Sequence, residues 1–287
     1  MVTFSLNRYI FKIAKKNIFI MSIIQKRFNI YSVTILLLFL AIFTLTNISW
    51  KSPVLKNKQV SILDTTLQRT SVDTVLTYQN FLQATYQKIN LKAAGLSETV
   101  FEKAFTGFLN MQLANLLNRD KNILTVIDFD LPSTSKRMWI IDIKNQKLLL
   151  HSYVAHGRGS GDDKAVRFSN QAESHQSSLG FYVANETYFG KHGLSLKLDG
   201  LDKGINDLAR ARAIVVHGAD YVSTDFIHKH GRLGRSHGCP AVPQELNQQV
   251  INLIKGKTCL FINAEAPNYT STLLNYQAVV NHFSAQI

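Results

Sequence analysis

The first 60 residues contain no acidic side chain, yet they carry nine of the chain's 32 lysines and arginines. That absence locates most of the formal charge of +13 at the amino terminus. The rest of the 287-residue chain is close to balanced. A basic groove on the folded body is therefore not what the charge describes, and no nucleic-acid partner is expected. Cysteine is scarce as well, with two residues. Cys259 lies in the apolar run KTCLFIN and reads as an inert strand residue. Cys239 lies in a loop rich in Gly, His and Ser, so a 239–259 staple is not expected. There is no internal repeat and no low-complexity tract, which leaves one large domain or two modest ones with ample apolar content for a core.

One long stretch lacks charge altogether. Residues 31–48 read YSVTILLLFLAIFTLTNI, with Lys26 and Arg27 just before and Trp50 and Lys51 just after. The length is near the minimum for a membrane span, and the basic flank keeps the amino terminus cytoplasmic. Everything after about residue 49 is then expected to be exported. No A-x-A cleavage site follows, which favours an uncleaved signal anchor in the cytoplasmic membrane over a removed signal. Met21, followed by SIIQKRF, is an alternative start with a more ordinary basic region ahead of the apolar run.

Beyond a short polar tether, apolar residues recur three and four apart in VDTVLTYQNFLQATYQKI. Gly95 breaks that pattern, Ser97 is a good N-cap, and VFEKAFTGFLNMQLANLL is a second amphipathic helix. The composition then shifts: twelve of the 15 glycines fall at 157–238. NILTVIDFDL, RMWIIDI, KLLLHSYVAHG, GFYVANETYF, LSLKLDGL, ARAIVVHG and TCLFINAE read as strands, with 144–146 as a hairpin turn. PQELNQQVINLIKG reads as a helix ended by Gly256. The expected organisation is a basic, membrane-anchored segment (1–50), a tether and helical segment (51–120), a β-rich α+β catalytic domain (121–266) and a polar tail with some helical pattern (267–287).

Eight of the nine histidines lie at 151–237, and two clusters stand out. AIVVHGADYV places His217 at the end of an apolar strand. GRLGRSHGCPAV places Cys239 after Ser236, His237 and Gly238. A cysteine attacks as thiolate, which needs a base or a positive field nearby. A strand end holds an imidazole rigidly enough for that task. Glycines beside the thiol let backbone N–H groups face a developing oxyanion. Arg235 and Arg232 add positive potential that would lower the thiol pKa, and Arg235 could hold a carboxylate. Tyr188, His192 and Ser178 are further pocket candidates. His237 either lines the pocket or hydrogen-bonds the loop.

An H-G at a strand end followed by S-H-G-C resembles the signature of the YkuD-type L,D-transpeptidases. AHGRGSG (155–161), FSN (168–170), SSLGFY (177–182), YFGKHGLSLKLDGL (188–201) and GRSHGCPAV (234–242) resemble, in order, the branch named murein L,D-transpeptidase catalytic domain proteins. The resemblance implies an L,D-transpeptidase-like β fold in which Cys239 attacks a peptidoglycan peptide stem. His217 would serve as base and then acid, with the Gly218 carbonyl orienting it. Amides around Gly238 and Cys239 would hold the oxyanion. The acyl group would pass to an amine or to water, the latter a carboxypeptidase side activity, with no cofactor and no metal. Pro240 and Ala241 depart from the commoner pattern, an aliphatic residue and then Arg or Asn.

Two other readings stand beside it. His228, His230, His237 and Cys239 offer four zinc ligands within twelve residues, the basis of a zinc-dependent hydrolase. Against this, no carboxylate is placed as in H-E-x-x-H, and HKHGRLGRS reads as a solvated basic loop. The other is a catalytically inert wall-binding module that has kept the fold.

Overall fold

Several strands are nearly continuous apolar runs, and in the structure, a computed structural model, their side chains point by turns to either face of the sheet and feed two cores. The structure describes residues 60–267 and 269–284, with side chains at 75–267 and 269–282. The expected anchor at 31–48 lies outside the described residues. Among the described residues no helix is long and apolar enough to cross a membrane.

Eight strands form one mixed sheet in the order β3-β2-β1-β8-β4-β5-β6-β7. They are β1 (Ile123–Asp128), β2 (Met138–Asp142), β3 (Lys147–Ser152), β4 (Gly180–Gly190), β5 (Gly193–Gly200), β6 (Val215–Ala219), β7 (Ala241–Pro243) and β8 (Thr258–Asn263). β1 with β8 and β6 with β7 run parallel, and the other pairs are antiparallel. Successive side chains point to opposite faces. Leu124, Val126, Trp139, Ile141, Phe181 and Phe261 accordingly face one core. Ile127, Ile140, Tyr182, Leu196, Val216, Leu260 and Ile262 face the other.

The first core is covered by α1 (Val60–Ile89), α2 (Glu98–Leu113) and the late α5 (Tyr276–Ser284). Ser97 caps α2 as expected, its side chain accepting the Val100 N–H. Gly107 lets α2 lie directly on β4, because a Cβ there would overlap the Phe181 ring. Trp139 Nε1–H donates to Ala94 O at 2.8 Å and ties the helices to β2.

From Leu63 to Ile287 the chain is one compact unit, and α1, α2 and the sheet share a core. The helical pattern expected after 267 is α5. Val279 and Val280 are buried in that core, and Tyr269 and Ser271 donate to the buried carboxylate of Asp202.

The second core is covered by α4 (Asn247–Ile254), which buries Val250, Ile251 and Ile254. The stretch expected as a basic loop begins instead as α3 (Thr224–His230). Ser223 caps it, and Gly231 closes it in the left-handed conformation at φ +70. None of its residues is buried, so no apolar stripe marked it in the sequence.

Candidate active site

β6 is buried along its length, and its alternation puts Val215 and His217 on one face. His217 lies opposite Ser195 of β5, and Ser195 lies opposite Tyr188 of β4. Directly opposed residues share a sheet face, so Tyr188, Ser195 and His217 form a row across three strands. On its other edge β6 pairs with β7, His217 opposite Ala241. That pairing delivers Cys239, two residues before Ala241, to the side of β6. The Val215 N–H donates to Cys239 Sγ at 3.5 Å, and Sγ lies 3.7 Å from Ala213 O.

His217 is buried, and its Nδ1 lies 2.9 Å from its neighbour's carbonyl, Gly218 O. A carbonyl oxygen can only accept, so Nδ1 carries the proton and Nε2 keeps its lone pair. Burial lowers the imidazole pKa and nearby His192 lowers it further, against the raising effect of the Gly218 bond.

Burial pushes the Cys239 thiol up, while the Val215 N–H and the charge of Arg212 pull it back. This corrects the expectation that Arg232 and Arg235 hold the thiol low. Both pair with Asp162 at 2.9 Å, and Arg235 also donates to Gly161 O. Around neutral pH the pair is a thiol and a neutral imidazole. A neutral imidazole is able to take a proton from a thiol as attack begins, without an ion pair formed beforehand.

The loop before β7 is braced from within. Ser236 Oγ accepts the Gly238 N–H at 3.0 Å and donates to Cys239 O at 2.6 Å. That engages the Gly238 amide, which the sequence had suggested for an oxyanion hole. The N–H groups of His237 and Cys239 make no hydrogen bond among the described residues and stay open. Gly238 sits at φ +123, and a Cβ there would come within 2.8 Å of Gln176 O. The glycine is therefore a requirement of the loop's close approach to its neighbour.

The AHGRGSG motif turns out to be a clamp on this loop. The Ser236 N–H donates to His156 O, and the Arg158 N–H donates to Ser236 O. Ser177 Oγ accepts the Gly157 N–H and donates to Gly238 O. Behind the clamp, fully buried Arg137 donates to His156 Nδ1 at 2.8 Å and to the carbonyls of Val154 and Leu131.

The other candidates divide. His192, at the β4–β5 turn, stacks on His217 with ring centroids 4.4 Å apart. His237 packs against His175 at 4.5 Å on the exposed side of the loop. Ser178 is not a free pocket hydroxyl: it is buried, donates to Ser169 O and accepts from Arg212. Arg212 itself was not singled out in the sequence. The zinc alternative needed four ligands to converge, and they do not. His228 and His230 ride on α3, where His230 stacks on Phe226. Among the described residues no group of three or more His, Cys, Asp or Glu is arranged to hold a metal ion.

The family model for the L,D-transpeptidase catalytic domain matches residues 92–263. The chain belongs to that family. The match begins inside the expected helical segment, in keeping with the shared core. Among solved structures the chain is similar to an L,D-transpeptidase from Mycobacterium smegmatis, at 12% identity and TM-score 0.31, covering 50% of this chain and 59% of that one. It is also similar to the helical cell shape determining protein Pgp2 from Campylobacter jejuni, at 11% identity and TM-score 0.35, covering 63% of each chain. An L,D-transpeptidase from Xylanimonas cellulosilytica matches at 14% identity and TM-score 0.27, covering 58% of this chain and 81% of that one. The chain thus spans about three-fifths of the length of the first two. No curated protein matches it. In this L,D-transpeptidase family member, then, the S-H-G-C loop and the H-G strand end meet at one point of the sheet edge.

Proposed function

We propose that the protein is an exported peptidoglycan L,D-transpeptidase that forms an acyl-enzyme on Cys239. The observation that carries the reading is the Cys239 thiol held against β6 two residues from His217, whose tautomer leaves Nε2 able to accept a proton.

Nε2 of His217 takes the thiol proton as sulfur attacks the carbonyl of the L-centre of the third stem residue. The open amides of His237 and Cys239 receive the oxyanion. Collapse breaks the peptide bond, and the departing amine of the terminal D-Ala takes the proton back from His217. An amine of a neighbouring stem, or water, then attacks the thioester through the same base and restores the thiol. Neither step calls for a metal or a cofactor.

Residues 1–50 supply the signal anchor in the cytoplasmic membrane, and 63–287 form the catalytic body on the periplasmic or wall-facing side. The charge-free run at 31–48 with its basic flank supports this part. Selective labelling of intact cells by a membrane-impermeant reagent tests it, because a cytoplasmic body would stay unlabelled. The reaction is tested by incubating residues 52–287 with a disaccharide tetrapeptide and following released D-Ala by mass spectrometry. Binding without release, from a folded protein with a reduced thiol, would instead favour an inert wall-binding module.

A further inference from the structure

Arg212 enters none of the steps above, and its surroundings give it a definite task. It lies in the turn between β5 and β6, half-buried. One terminal nitrogen donates to Ser169 O at 2.7 Å and Ser178 Oγ at 2.6 Å. The other donates to Gln176 O at 2.7 Å and Ser174 Oγ at 3.3 Å. Four of five guanidinium donors are thereby engaged, so Arg212 is not a free clamp for a substrate carboxylate. All four acceptors belong to the stretch 169–178. That stretch carries Gln176 and Ser177, which touch the back of the nucleophile loop at Gly238.

A cation held by neutral acceptors keeps its full charge for whatever stands next to it. Arg212 pairs with no carboxylate among the described residues. By contrast Arg210, two residues earlier, pairs with Glu186 and Asp199, and Arg232 and Arg235 are on Asp162. What stands next to Arg212 is the nucleophile. A Cβ at Gly238 would lie 3.5 Å from its Nη2, and the Arg212 charge acts on the Cys239 sulfur.

We propose that Arg212 is a positioning residue for acyl transfer: it ties the 169–178 stretch against the Cys239 loop and supplies the half-buried positive charge that stabilises the thiolate. Both tasks come from one guanidinium, so its charge and its bonding are separable by substitution. Arg212→Gln removes the charge and keeps two N–H donors, whereas Arg212→Lys keeps the charge and loses most of the bonds.

The proposal rests on Cys239 as nucleophile, but its test needs no substrate. The rate of Cys239 alkylation by iodoacetamide is measured against pH by intact mass, and Cys259, fully buried, does not compete. In Arg212→Gln the midpoint should rise by about one pH unit, a fall of about tenfold in alkylation rate below the midpoint. Arg212→Lys should stay within a few tenths of a unit of wild type even though its melting temperature falls. A superimposable profile in folded Arg212→Gln overturns the proposal, as does a full-unit rise in Arg212→Lys. If Arg212→Gln does not fold, the lysine variant decides alone on the same criterion. Failure here would leave acyl transfer intact, because that is read separately by D-Ala release.

Discussion

The imidazole of His192 lies over that of His217, with ring centroids 4.4 Å apart and planes at 24°. Two cations cannot share that stack cheaply, so His192 helps keep His217 neutral. The tip of the β4–β5 hairpin thereby covers the proposed base and favours its neutral form. His192→Ala should raise the pKa of His217. The acidic limb of the kcat/KM profile should then move to higher pH, by about half a unit to one unit. An unmoved limb would mean that the stacking is packing alone.

His156 offers a pH dependence of stability with a definite sign. Burial, and then the charge of Arg137, lowers its pKa from 6.5 to about 4. Below about 6.5 the unfolded chain takes a proton that the folded chain refuses until about 4. Stability from this residue is therefore complete above that window and lost as pH falls through it. Urea unfolding should show a loss of about 2 kcal/mol between about pH 7 and pH 5 that His156→Gln largely removes. His217 and His151 shift in the same direction, so the difference between the two proteins, not the wild-type slope, carries the test.

Ser236 joins both sides of the nucleophile loop through one hydroxyl. Ser236→Ala leaves the buried Gly238 N–H without a partner, at a cost of about 1–3 kcal/mol. Turnover should fall by about ten- to a hundredfold while stem-peptide KM changes little, because the hydroxyl shapes the loop through Gly238 and Cys239. A rise confined to KM would make Ser236 a binding residue instead.

The carboxy-terminal helix belongs to the core that α1, α2 and the sheet share. Val279→Ala should cost about 1–3 kcal/mol in denaturant unfolding, with the activity of the folded fraction unchanged. A neutral effect would return 267–287 to the status of a tail.

Much of this architecture was legible from local chemistry. Ser97 followed by an apolar three-four repeat marks α2, and the short apolar runs ILTVID and TCLFIN mark strands that face two cores. His217 and Cys239 were legible for a different reason: a histidine at a strand end and a thiol among glycines are unusual settings. The parts that escaped depend on contacts distant in sequence. Arg210 and Arg212 are near neighbours, yet one ends on Glu186 and Asp199 at the surface and the other among Ser169, Ser174, Gln176 and Ser178. Nothing in ARARAIVV separates them. Likewise Arg235 stands next to Ser236 in the chain, but Asp162 claims it. The Gly238 amide looked available until the hydroxyl two residues earlier proved to hold it.

If Cys239 is an activated nucleophile, a strained lactam should acylate it. Residues 52–287, wild type and Cys239→Ala, are incubated with a carbapenem and weighed intact. A single covalent adduct on wild type, absent from Cys239→Ala, is the expected result. An adduct that persists without the thiol, or none on folded and reduced wild type, would contradict the account.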